Sequence, residues 1–198
     1  MACTLENLNT ISGRGDGNTH IYSPRAGAPS SVRSDSLNAT HLGEFTVSRI
    51  DAILSIANPT GFAIALSDFI NSCPTPFERM SPGEQTAYCV DELEREVNNG
   101  GFEQFFLNSS GDYARPVVDA LQRIGAAQAA QLVDRAIAPF GTTGPSPDRD
   151  RRTAQVEILG EPTRDLWNAL TEAFLKYPDD LAGLLRRYVE ANKSEFAG

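Results

Sequence analysis

The sequence predicts an all-α protein: a single globular helical domain of about seven or eight helices at 44–198, behind a disordered polar tail at 1–43. Three observations carry that expectation. From Phe45 onward, apolar residues recur at i, i+3, i+4 and i+7, the spacing that lines one face of a helix. No stretch of useful length alternates apolar and polar residues as a half-buried strand does. The stripes are punctuated by Asn-Pro, Ser-Pro-Gly-Glu and late glycines, with which helices start and stop.

The tail is rich in Ser, Gly, Asn, Thr and Pro, and its few large apolar side chains bury too little surface to offset chain entropy. Its charges cancel, Glu6, Asp16 and Asp35 against Arg14, Arg25 and Arg33, so the net charge of -9 belongs to the folded part.

The first stripe is Ile50, Ile53, Leu54 and Ala57, ended by Asn58-Pro59. The second is Phe62, Leu66, Phe69 and Ile70, ended near Cys73-Pro74. Ser81-Pro82-Gly83-Glu84 has the form of a capping box with proline at the first helical position. In the helix that follows, to about Asn99, Val90, Leu93 and Val97 share a side with Thr86 and Cys89 near them. Glu84, Asp91, Glu92 and Glu94 spread over the other side.

Asn98-Asn99-Gly100-Gly101 then reads as a very tight corner, because Asn and Gly tolerate the left-handed backbone that stops a helix. A short aromatic helix follows with Phe102, Phe105 and Phe106. Its Gln104 and Asn108 share a face and are expected to form a structural network on the orphan backbone groups of the corner.

Asp112 is expected to cap the next helix, striped by Val117, Leu121 and Ile124 and stopped at Gly125. Ala129, Leu132, Val133, Ala136 and Ile137 mark another. The run at 141–152 reads as a turn-rich loop, and 153–159 reads equally as a short helix or an extended piece. Leu166, Leu170, Ala173, Phe174 and Tyr177 keep helical period. Pro178 separates them from Leu181, Leu184, Leu185 and Tyr188, with Asp179-Asp180 expected in the first turn of that last helix.

Composition narrows the function. Both histidines, His20 and His41, lie in the tail, so the folded part has no imidazole to activate a serine or cysteine or to hold zinc. Cys3, Cys73 and Cys89 lack C-x-x-C spacing, which argues against a zinc site or a disulfide framework. No catalytic residue, metal site or cofactor is therefore expected. The start lacks the basic and apolar parts of a signal peptide, no apolar run approaches membrane-spanning length, and a reduced cytoplasm is the expected location. The acidic balance disfavours direct contact with nucleic acid or an anionic membrane.

Glu96, Asn98, Asn99, Gly100, Gly101, Phe102, Gln104, Phe105, Phe106, Asn108 and Ser109 spell E-x-N-N-G-G-F-x-Q-F-F-x-N-S. That string resembles a bacterial all-helical family first catalogued as a domain of unknown function, which includes a DNA-mimic protein. The segments at 120–126 and 184–192 are similar to it as well, and the resemblance covers 81–192. It implies an α-helical protein that forms a homodimer and displays surface carboxylates in place of backbone phosphates to a transcription regulator. The motif residues themselves, amides, glycines and aromatics, read as the device that fixes the fold.

Three functions compete. An acidic decoy would bind a basic DNA-binding protein through Glu84, Asp91, Glu92, Glu94, Glu96 and Glu103, and would be sensitive to salt. A general interaction or immunity-type module would use the amide and aromatic surface around Asn98, Asn99, Gln104, Asn108 and Tyr113, and would tolerate salt. An enzyme would need convergent acids in a pocket, and no E-x-x-H, D-x-D or glycine-rich phosphate loop points to one.

Overall fold

The computed structural model describes residues 48–72 and 75–196. The expected tail, both histidines, Cys3 and Cys73 lie outside them. Among the described residues every regular element is helical. Seven α-helices, α1 (Arg49–Leu54), α2 (Pro59–Asn71), α3 (Pro82–Leu107), α4 (Ala114–Ile124), α5 (Ala127–Ile137), α6 (Arg149–Phe174) and α7 (Leu181–Ala191), are joined by short segments, three of which contain a 3-10 turn, and a fourth 3-10 turn (Lys193–Phe196) follows α7. No helix among them is long and apolar enough to cross a membrane.

The starts are written in side chains. Ser48, Asn58, Ser81, Asp148 and Asp180 each accept a bond from the backbone N–H three residues on, at α1, α2, α3, α6 and α7. Each such cap contributes about 1 kcal/mol. Ser81 and Glu84 form the expected reciprocal capping box. Asn58-Pro59, read as the end of the first stripe, instead begins α2: Asn58 caps it and Pro59 sits in its first turn.

Several expectations are corrected by the side chains they rested on. Asp112 does not cap α4, because its carboxylate is taken by Arg152 at 2.7 Å. Asp180 caps α7, but Asp179 turns away and caps α5 across space, accepting from the Ala129 N–H at 2.8 Å. The cap residue of α5 itself is Ala126, which has no oxygen to offer. The loop expected at 141–152 ends at Asp148, and 153–159 is helical, with Val156 buried in the core. Gly160 (φ 68) then interrupts α6 ahead of Pro162.

α3 is the central element and packs most heavily against α6 and α4, while α5 bridges α4 and α6. The aromatic residues just past the corner of α3 fill the middle. Phe106 lies 5.0 Å from Trp167 and 4.9 Å from Phe140 between ring centroids, and Phe102 meets Phe174 edge to face. All three phenylalanines, Phe102, Phe105 and Phe106, are fully buried, each stabilising the fold by about 1.5–3 kcal/mol. Trp167 satisfies its indole N–H on the Ala136 carbonyl at 2.9 Å. At the other side, α1 and α2 are tied to the chain end. Arg186 of α7 donates to the Leu54 and Ile56 carbonyls and stacks 4.3 Å from the Phe62 ring centre, and Lys193 reaches Asp51 at 2.7 Å.

Candidate functional site

α3 breaks where the sequence places the corner. Asn98 and Asn99 remain helical, Gly100 leaves helical geometry (φ -157), and Gly101 adopts φ 75, ψ -173, which is open essentially to glycine alone. Space closes the position a second time: a Cβ on Gly101 would meet Thr171 Oγ1 at 2.8 Å. That hydroxyl accepts the freed Phe102 N–H at 3.1 Å, so α6 satisfies one of the backbone groups the break exposes.

The break folds the second half of α3 back onto the first. In a continuous helix Gln104 and Asn108 would lie about 12 and 18 Å along the axis from Glu96. Here Gln104 Nε2 and Asn108 Nδ2 both donate to Glu96 Oε2, at 2.8 and 2.7 Å. The amides do form the structural network expected of them, but on a carboxylate rather than on backbone groups. Burial would raise the Glu96 pKa, yet these two bonds and the charge of Arg95 outweigh it and hold the carboxyl below its usual value of 4.5.

Burial also changes the reading of the acidic face. Glu92 and Glu96, expected in a row displayed to a partner, are 7% and 3% exposed. They point at the turn of Ser109–Tyr113, where the buried Ser110 hydroxyl donates to Glu92, and the half-exposed Arg95 spans both at 2.7 and 3.0 Å. Glu84 is occupied in its capping box, and Glu103 pairs with Arg164 at 2.8 Å. Asp91 and Glu94 of the α3 row have neither a capping bond nor an ion pair, and lie half-buried in a groove that they share with Arg95 and with the exposed Asp68 and Ile64 of α2. Burial raises the pKa of both carboxyls above the ordinary value. Glu94 also accepts from Tyr177 Oη at 3.1 Å, and that tyrosine bonds Asn98. Tyr113 packs against Phe77 and Tyr88, and Asn99 is exposed.

Sequence reasoning missed two groups. Arg152, read as part of a mixed-charge loop, is 0% exposed. Its guanidinium donates to the Phe106, Ser146 and Asn108 carbonyls and to Asp112, tying the end of α3 and the following turn to α6. The second group is a set of exposed carboxylates on α6: Asp150, Glu157, Glu161, Asp165 and Glu172. Glu161 touches Arg164 at 3.5 Å, and the other four make no ion pair among the described residues. Glu161, Asp165 and Glu172 keep to one side of the segment after Gly160, and Asp150 and Glu157 to one side of the segment before it. The signal was the spacing of seven between Asp150 and Glu157 and of four and seven among Glu161, Asp165 and Glu172, hidden because 153–159 did not declare itself helical.

Among the described residues no three His, Cys, Asp or Glu side chains converge as a metal cage would need. Burial pushes the Cys89 thiol up to about 12, which keeps it protonated and unreactive. Comparison with known proteins returns one finding: residues 78–192 match the family model described as DMP19-like protein. No curated protein matches the chain. No solved structure matches it either.

Proposed function

Since the chain belongs to the DMP19-like family, matched over residues 78–192, we propose that it is a non-enzymatic acidic protein that mimics DNA and occupies the nucleic-acid-binding face of a basic protein. The observation that carries this reading is the set of carboxylates on α6 that are exposed and free of ion pairs. Asp165 and Glu172 share one side of the segment after Gly160 with Glu161, and Glu157 lies in the segment before that break.

The physical case is one of spacing and screening. Four helical residues advance about 6 Å, close to every second phosphate of one DNA strand at about 6.8 Å, and Glu161 and Asp165 stand at that step in the segment after Gly160. Carboxylates at that separation lie within one Debye length at physiological salt, about 8 Å, so they act together on a basic surface. The α3 carboxylates play a different part. Glu92 and Glu96 are spent on the fold, and Asp91 and Glu94 lie half-buried in a groove against α2. The amide and aromatic surface loses ground as an alternative, because Gln104, Asn108 and Asn98 already direct their amide N–H groups to partners within the chain.

The test is a capture experiment from the source cell's lysate, eluted with rising salt. Three proteins are compared: the parent, a Glu157→Gln/Asp165→Asn/Glu172→Gln variant, and an Asp91→Asn/Glu94→Gln variant. The expected result is a DNA-binding protein retained by the parent, released at moderate salt and lost with the α6 variant. Retention of the same protein by all three forms at high salt would remove the decoy reading.

A further inference from the structure

α4 carries Arg115, Asp119 and Arg123 at four-residue spacing, so the three charges line one edge of the helix. That edge borders a pocket of about 260 Å³ with Phe77 and Pro116 among its walls and the buried Thr86 and Cys89 at its base. None of the three charges has an oppositely charged partner among the described residues.

The two arginines are nonetheless held. Arg115 Nη2 donates to the Thr142 and Thr143 carbonyls at 3.2 and 2.6 Å. It passes close over Gly144, where a Cβ would meet it at 2.6 Å, and the backbone there (φ 69) itself favours glycine. Arg123 Nη1 rests 3.4 Å from Thr86 Oγ1, a hydroxyl only 1% exposed. The remaining guanidinium N–H groups of both residues have no partner among the described residues.

From this pocket the geometry points to a binding site for an acidic α-amino acid, its two carboxylates on Arg115 and Arg123 and its ammonium on Asp119. Arg115 and Arg123 stand eight residues, about 12 Å, apart along α4 with Asp119 midway, so the two cations line opposite ends of the pocket and suit the two ends of a ligand rather than one carboxylate. A monoanion would leave one arginine unmatched, and a dicarboxylate without an amine would leave Asp119 facing only negative charge. The volume falls just below the range of about 300–1,000 Å³ found for drug-sized ligands, which suits a molecule of few heavy atoms. The site is separate from the α6 carboxylates and stands without the decoy reading.

The experiment is a calorimetric titration of the full chain with L-glutamate and, in parallel, with glutarate, which lacks the amine. Arg115→Gln, Arg123→Gln and Asp119→Asn variants are titrated alongside, with thermal melts confirming that each folds. The expected result is saturable binding of glutamate at one per chain, weakened roughly tenfold or more by either arginine change, as loss of a charge-assisted contact requires. Asp119→Asn should weaken glutamate and tighten glutarate. No saturable binding of glutamate at millimolar concentration would overturn the assignment, and so would an affinity unchanged in the Arg115→Gln/Arg123→Gln double variant.

Discussion

Arg152 shows how much one side chain carries. It is fully buried, and its donors reach three carbonyls and the Asp112 carboxylate from three segments of chain. Removing it leaves the buried Phe106 carbonyl unsatisfied and unties Asn108, Ser146 and the partly exposed Asp112 from α6, and lysine cannot reproduce the planar fork. Arg152→Lys and Arg152→Met are each expected to destabilise the fold by about 3–5 kcal/mol, measured by urea denaturation. A loss below about 1 kcal/mol would show that water replaces the guanidinium. Glu96 gives a prediction in pH. Its folded pKa is depressed, so its contribution is fully present above the unfolded value near 4.5 and is lost as pH falls through the lower folded value. Glu96→Gln should therefore cost about 1–3 kcal/mol at neutral pH, with the gap from the parent closing below pH ~4. Asp91 has the opposite sign. Its folded pKa is raised by burial, so the ionised form carries a penalty at neutral pH that acid relieves. Asp91→Asn, which keeps an oxygen for the Ser67 hydroxyl, is expected to be neutral or stabilising in thermal melts at pH 7.

Among the elements, α3 is the one whose interruption organises the rest. The corner at Gly100 and Gly101 brings Gln104 and Asn108 over Glu96 and presents three phenylalanines to the core. Gly101→Ala meets both a forbidden backbone region and the Thr171 side chain, and should cost at least about 3 kcal/mol or prevent folding. Native-state hydrogen exchange at Phe102 would report the opening directly, and unchanged protection there would contradict the account. Asp179→Ala should cost about 1 kcal/mol, because it uncaps α5 without touching α7. The corner was legible because Asn-Asn-Gly-Gly states its backbone requirement locally. The caps at Ser81 and Asp180 were legible for the same reason. Asp112 and Asp179 were not, since each caps or pairs with something distant in sequence, Arg152 in one case and the start of α5 in the other. Spacing along α3 separated the apolar side from the charged one correctly but could not show that Glu92 and Glu96 would be covered by Ser110 and the second half of the same helix.

At the scale of the molecule, the charge of -9 is divided between two uses. Part of it is internal: Glu92, Glu96, Asp112 and Glu103 neutralise Arg95, Arg152 and Arg164 and hold segments together. Among the described residues, five exposed acids lie on α6, Asp150, Glu157, Glu161, Asp165 and Glu172, while Asp91 and Glu94 stay half-buried. The sequence resemblance located the family correctly, because the fold-fixing motif is what the family shares with this chain. It could not say which carboxylates are exposed, because an exposed carboxylate and a buried one are spelled with the same letters. The measurement that tests the central claim most directly is competition for a captured DNA-binding protein. That protein is bound to a fluorescent duplex, and the chain is added while anisotropy is followed, with the Glu157→Gln/Asp165→Asn/Glu172→Gln variant in parallel. The expected result is displacement of the duplex by the parent, weakening steeply with salt, and displacement at least about tenfold weaker with the variant. A ternary complex in which the duplex stays bound, or equal displacement by parent and variant, would contradict the assignment of α6 as the DNA-like face.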